Sequence, residues 1–105
     1  MVQPIDEPLS RTEAIRRLRA LEPALRDRGV QSLYLFGSTA RDQARSDSDI
    51  DVFADLDPRR TFAFDYFSLG FVIEDELRRK TDFIGRKSLH PAFRDEIEAS
   101  AVRIF

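Results

Sequence analysis

The chain has 105 residues, 17 Lys and Arg against 19 Asp and Glu, a formal net charge of −2 and no cysteine. That length fits one small domain with a modest core. The missing cysteines exclude disulfides, thiolate catalysis and cysteine zinc sites, and the mixed charge disfavours non-specific binding to nucleic acid, so no direct nucleic-acid contact is expected. There is no basic-then-apolar leader and no apolar run near the roughly 20 residues that span a bilayer, so the expectation is a cytoplasmic protein without a membrane partner.

Residues 1–9 are polar and contain two prolines, which predicts a flexible N-terminal arm. Ser10 and Glu13 then form an S-x-x-E capping box. Ala14, Leu18, Leu21 and Leu25 follow on one helical face, which predicts a first helix over roughly 11–28. Pro23 should kink or divide it, and Gly29 should stop it. Val30 to Phe36 reads as a strand, and the continuous run Leu33-Tyr34-Leu35-Phe36 predicts burial on both faces. Gly37-Ser38 ends the strand, and Thr39 to Gln43 suits a short helix. Ser46 to Ser48 is a polar turn.

Asp49 to Ala54 is a second strand in which Asp49 and Asp51 point one way and Ile50 and Val52 the other. Phe64 to Arg79 has helical spacing, with Tyr66, Leu69, Ile73 and Leu77 on one face and the Glu74–Glu76 cluster toward solvent. Thr81 to Gly85 is a third strand with Phe83 and Ile84 as core candidates. His90-Pro91 opens a last helix, with Pro91 at its first position. Ala101 to Phe105 suits a terminal strand. One sheet with helices between its strands makes an α/β or α+β fold.

Two places in this order could carry chemistry. Carboxylates two apart on a strand, here Asp49 and Asp51, sit roughly 6–7 Å apart at the backbone. They repel unless a cation lies between them. Mg²⁺ takes one or two carboxylates and completes its shell with water and phosphate oxygens. The same pair also fits a strand with a solvated acidic face. At Gly37-Ser38 a strand runs into a helix start, where unpaired N–H groups favour an anion and Gly lets a ligand approach closely. It equally fits a plain turn with a helix cap. Arg41, one turn on, could reach the same anion or lie on the surface. The G-x-x-x-x-G-K-[ST] pattern of a Walker loop is absent.

Taken jointly, G-S-x-A-R over 37–41, then six residues, then S-D-x-D over 48–51 is far more specific. Leu35-Phe36 precede it, Ala44 and Ser46 lie within it, and Ile50 and Val52 surround the second Asp. This pattern resembles the polymerase-beta-type nucleotidyltransferases, and in length their small branch of minimal nucleotidyltransferases. The resemblance runs from the first helix to the end. It implies a single domain over 10–105, a small mixed β-sheet packed against helices.

It also implies three carboxylates. Asp49 and Asp51 match the paired positions, and Asp82 in Lys80-Thr81-Asp82-Phe83-Ile84 matches the third, although Thr81 stands where an apolar residue is usual. Asp75 and its neighbouring glutamates are rivals by sequence distance, but on a predicted helix. In such a site Gly37 and Ser38 hold the β- and γ-phosphates of ATP. Asp49, Asp51 and Asp82 hold two Mg²⁺ ions, and Asp82 helps deprotonate the acceptor hydroxyl. Arg41 contacts the triphosphate or braces the loop.

The larger relatives carry a second, helical domain for the acceptor. Its absence from this sequence implies that a partner chain or a homo-oligomer completes the site. The resemblance implies pairing with a small helical HEPN-type toxin, with this chain as an antitoxin that adenylylates its partner. Two alternatives stand beside this: a non-catalytic nucleotide-binding module that neutralises the partner by contact, and a transferase acting on a small molecule. His90 reads as a helix cap. The phenylalanines at 62, 64, 67, 71, 83, 93 and 105 read as core or interface, with the excess over 62–71 a candidate partner surface.

Overall fold

The structure, a computed structural model, describes residues 7–60 and 63–105, and for 63–66 the backbone alone. Residues 1–6 of the expected arm, Phe62, and the side chains of Phe64 and Tyr66 lie outside the described residues.

Ser10 caps the first helix, α1 (Arg11–Ala20), by accepting from the Glu13 N–H at 3.1 Å. The reciprocal half of the expected box does not form, because the Glu13 carboxylate is taken by Arg16 at 2.5 Å and Arg17 at 3.0 Å. Pro23 divides the predicted helix as expected. A second helix, α2 (Glu22–Asp27), starts there with Pro in its first turn. Gly29 at φ 99° turns the chain into β1 (Val30–Phe36). Then come α3 (Gly37–Ala40), β2 (Ile50–Leu56), α4 (Ala63–Leu77), β3 (Thr81–Gly85), a 3-10 turn (Arg86–Ser88), α5 (Pro91–Ser100) and β4 (Val102–Arg103). His90 is the cap of α5, its Nδ1 accepting from the Ala92 N–H at 3.1 Å.

The four strands form one mixed sheet in the order β3-β2-β1-β4. β1 pairs antiparallel with β2 and β4, and β2 pairs parallel with β3. Strand alternation sorts the side chains onto two faces. Leu33, Leu35, Ile50, Val52 and Ala54 join Ala14, Leu18, Leu25, Leu69, Ile73 and Leu77 in the core. Leu9 belongs to the same core although the arm was expected to reach it. The opposite face carries Ser32, Tyr34 and Phe36 of β1, Asp51, Phe53 and Asp55 of β2, and Asp82 of β3.

Burial of β1 is therefore uneven: Leu33 and Leu35 are fully buried, whereas Tyr34 and Phe36 are partly open. Phe67, Phe71 and Phe93 are exposed rather than core. Among the described residues no helix is long and apolar enough to cross a membrane.

Candidate functional site

The site begins where β1 ends. Gly37 sits at φ 76°, a left-handed conformation that glycine adopts without strain. A Cβ there would collide with Asp51 Oδ2, and Asp51 Cγ would lie only 3.2 Å away. The chain thus brings a bare backbone against a carboxylate. Register explains the encounter, since Phe36, the residue before Gly37, pairs with Asp51 across β1 and β2.

The loop after Gly37 is tied at both ends. The Asp42 carboxylate accepts from the Arg11 N–H at 2.8 Å, fastening the end of α3 to the start of α1. Farther on, the Ser48 hydroxyl accepts from the Arg45 N–H at 2.8 Å, closing the turn that delivers Asp49 and β2. Sequence spacing alone shows neither tether. The Thr39 hydroxyl is buried in α3, without a hydrogen-bond partner among the described residues.

Asp51 and Asp82 are direct partners across the parallel β2–β3 pair. Burial first, then the Asp82 and Asp49 charges and hydrogen bonding with Asp82, push the Asp51 carboxyl up to about 6, against a weaker opposing pull from Arg41. Five of the six sequence-predicted site residues are thereby drawn together: Gly37, Asp49, Asp51 and Asp82, with Arg41 in electrostatic range. Ser38 follows Gly37 in the first turn of α3, half-buried. Asp75 is exposed on α4, outside this group. Its neighbour Glu74 instead accepts from the Thr81 N–H at 3.0 Å, fixing the start of β3.

Among the described residues no three acidic side chains are already drawn into the geometry of a metal shell. The donor chemistry nevertheless fits a hard divalent cation: Asp51 and Asp82 are partners across the β2–β3 pair, the Asp49 charge bears on the same carboxyl, and a cation would relieve their repulsion.

Four residues along β2 from Asp51, roughly 13 Å at strand rise, lies a second polar group that the sequence reading missed. Asp55 accepts from Arg86 at 2.8 and 3.0 Å and from the Ser32 hydroxyl at 2.5 Å. The Arg86 guanidinium holds the Asp55 carboxyl below its usual range, against the opposing effect of burial. Arg86 also lies over the rings of Tyr34 at 4.8 Å and Phe53 at 5.1 Å. The signal was present, because Asp55 continues the alternation of Asp49 and Asp51. A cavity of about 710 Å³ opens here beside Asp55, Arg86 and Arg103, larger than the one of about 230 Å³ that reaches Asp82. The facing carboxylates, not cavity size, mark where group transfer is chemically possible.

Comparison with known proteins agrees with this geometry. The family model described as "Nucleotidyltransferase domain" matches residues 18–104. A candidate protein adenylyltransferase of Methanocaldococcus jannaschii, MJ0435, is 30% identical over 86 residues, covering 82% of this chain and 91% of its own. A second from the same organism, MJ1379, is 34% identical over 90 residues, covering 83% and 90%. Among solved structures, a candidate minimal nucleotidyltransferase superposes with a TM-score of 0.71 at 29% identity, covering 90% of this chain and 95% of that one. A toxin–antitoxin complex solved with AMP-PNP gives 0.64 at 20% identity, covering 85% and 72%, a likeness of fold alone.

Proposed function

This chain belongs to the nucleotidyltransferase family, and from that premise we propose that it transfers AMP from ATP to a hydroxyl group of a partner protein, as the antitoxin of a toxin–antitoxin pair. The observation that carries the reading is the convergence of Gly37, Asp51 and Asp82 at one end of the sheet.

In this reading Asp49, Asp51 and Asp82 hold Mg²⁺. When bound, the metal neutralises the carboxylates and offsets charge on the phosphoryl oxygens. The N–H groups at Ser38 and Thr39 accommodate the β- and γ-phosphates, and the missing side chain at Gly37 leaves room for the Asp51 carboxylate beside them. Arg41 contributes positive charge on the same side. Asp82 accepts the proton of the attacking hydroxyl. The acceptor oxygen bonds to the α-phosphorus as the bond from that phosphorus to the β-phosphate bridging oxygen breaks, and pyrophosphate leaves. Positioning and electrostatics carry the catalysis.

Support for a protein acceptor and a toxin partner comes from likeness: the named activity of the two archaeal relatives and the fold shared with a chain of a toxin–antitoxin complex. The test is intact mass spectrometry of a small helical protein encoded beside this chain, after incubation with this protein, ATP and Mg²⁺. The reading expects one or more added AMP groups, absent with Asp49→Ala/Asp51→Ala. An unmodified partner that the double variant still neutralises would instead establish a contact antitoxin.

A further inference from the structure

Two phenylalanines on α4 face solvent with nothing described over them. Phe67 is 75% exposed and Phe71, one turn later, 65%. The helix already spends its other apolar face on the core through Leu69, Ile73 and Leu77, all fully buried. The folding core therefore does not account for these two rings. They border a cavity of about 230 Å³ that runs along the edge strand β3, past Gly70 and Phe83, to Asp82. One end of an exposed apolar groove thus reaches Asp82 at the edge of the sheet, where its carboxylate turns to the opposite face beside Asp51.

We propose that this groove is the docking site for the acceptor: an extended polypeptide segment that places an apolar side chain between Phe67 and Phe71 and so brings a nearby hydroxyl to Asp82. The proposal rests on the protein adenylyl-transfer reading.

Three observations select this occupant. Among the described residues the charged ones lining the groove are Glu74 and Asp82, with no cation, and Asp75 and Glu76 are exposed on the next turn of α4. A complementary segment is therefore basic around its apolar anchor. The groove follows a strand that pairs with β2 on one side only, the setting in which extended segments are commonly bound. Finally, two rings at these exposures offer roughly 200–350 Å², well short of the roughly 800 Å² per partner of a stable complex. The patch thus suits an anchor for a substrate that must leave after modification, and it is too small to hold a second copy of this chain by itself.

The test uses the full-length ¹⁵N-labelled protein and three synthetic tyrosine peptides. One has leucine two residues from the tyrosine and flanking arginines, one has serine in place of that leucine, and one has flanking glutamates. The leucine–arginine peptide is expected to shift the amides of Gly70, Phe71 and Asp82 and to bind at least about tenfold more tightly than the other two. Phe67→Ser and Phe71→Ser should each weaken it by about tenfold while leaving the melting temperature and ATP binding close to wild type.

A second variant guards against a trivial loss of fold. A Cβ at Gly70 would meet Phe83 Cβ at 3.7 Å, an ordinary contact. Gly70→Ala should therefore keep or raise stability while narrowing the groove and weakening the peptide. Equal affinity for all three peptides, shifts confined to residues around Arg86 and Arg103, or undiminished binding to the Phe variants would each overturn the docking site. A peptide that binds in the groove yet receives no AMP from ATP and Mg²⁺ would count against the transfer reading and leave the docking site standing.

Discussion

The carboxylate of Asp51 occupies the space in which a side chain at Gly37 would begin. The end of β1 and the start of β2 are thereby locked into one feature, a backbone without side chain set against an acid. Gly37→Ala should lose on two counts. It places a β-carbon at φ 76°, costing about 1–2 kcal/mol, and it displaces Asp51. We expect ATP binding in the presence of Mg²⁺ to weaken by about a hundredfold, roughly 2.7 kcal/mol. Calorimetric titration and urea unfolding would read the two effects separately.

Asp51 also makes the metal-free protein sensitive to pH. Burial, with Asp82 and Asp49 nearby, raises its carboxyl from 3.8 to about 6 in the folded chain. The folded state therefore binds the proton more tightly than the unfolded state. Stability from this group is fully present below its unfolded value and is lost as pH rises through about 6. Asp51→Asn should melt higher than wild type at pH 8 without Mg²⁺, and the difference should vanish by about pH 4. In the proposed site Mg²⁺ would compete with the Asp51 proton, so its affinity should climb as pH rises toward 6 and level off above it. A variant whose melting point tracks wild type across this range would contradict the assignment.

Much of this arrangement was legible in residue order. Gly29 and Gly37 bracket β1 at its observed limits, Val30 and Phe36. Pro23 splits the first helix, and His90 caps the last. Asp49, Asp51 and Asp82 were singled out by spacing and resemblance, and the structure brings them into mutual electrostatic range. What escaped depended on contacts between distant segments. Periodicity cannot tell which face of α4 meets the sheet when both faces are apolar, so Phe67 and Phe71 read as core or interface alike. Glu13 looked like a capping partner because local rules do not count the two arginines competing for it. Asp55 went unremarked because its partner Arg86 lies 31 residues away.

That Asp55–Arg86 pair makes its own prediction. Arg86 grips Asp55 through two bonds and covers Tyr34 and Phe53, leaving Phe53 only 1% exposed. Lysine cannot reproduce the fork or the flat stacking surface. Arg86→Met should cost about 1–3 kcal/mol, and Arg86→Lys should recover less than half of that. A double-mutant cycle with Asp55→Asn should give a coupling of about 1 kcal/mol, held down by the partial exposure of both side chains. A coupling near zero would reduce the pair to a surface contact.

Leu9 is 6% exposed within the core, just ahead of the Ser10 cap. Leu9→Ala should destabilise the fold by about 2–4 kcal/mol, whereas Ser10→Ala should cost about 1 kcal/mol through loss of the cap. Chemical denaturation of the two variants would rank them. The reverse order would mean that Leu9 contributes less than its burial implies.

The central claim is that Gly37, Asp49, Asp51 and Asp82 form one nucleotidyl-transfer site. Parallel reactions with ATP labelled at the α- or the γ-phosphate, using Mg²⁺ and, as the proposed partner, a small helical protein encoded beside this chain, test it most directly. The account predicts that the partner takes up the α-label and none of the γ-label. Asp49→Asn, Asp51→Asn and Asp82→Asn should each lower that uptake by about a hundredfold or more. Uptake of γ-label, or full α-label uptake by Asp82→Asn, would contradict it.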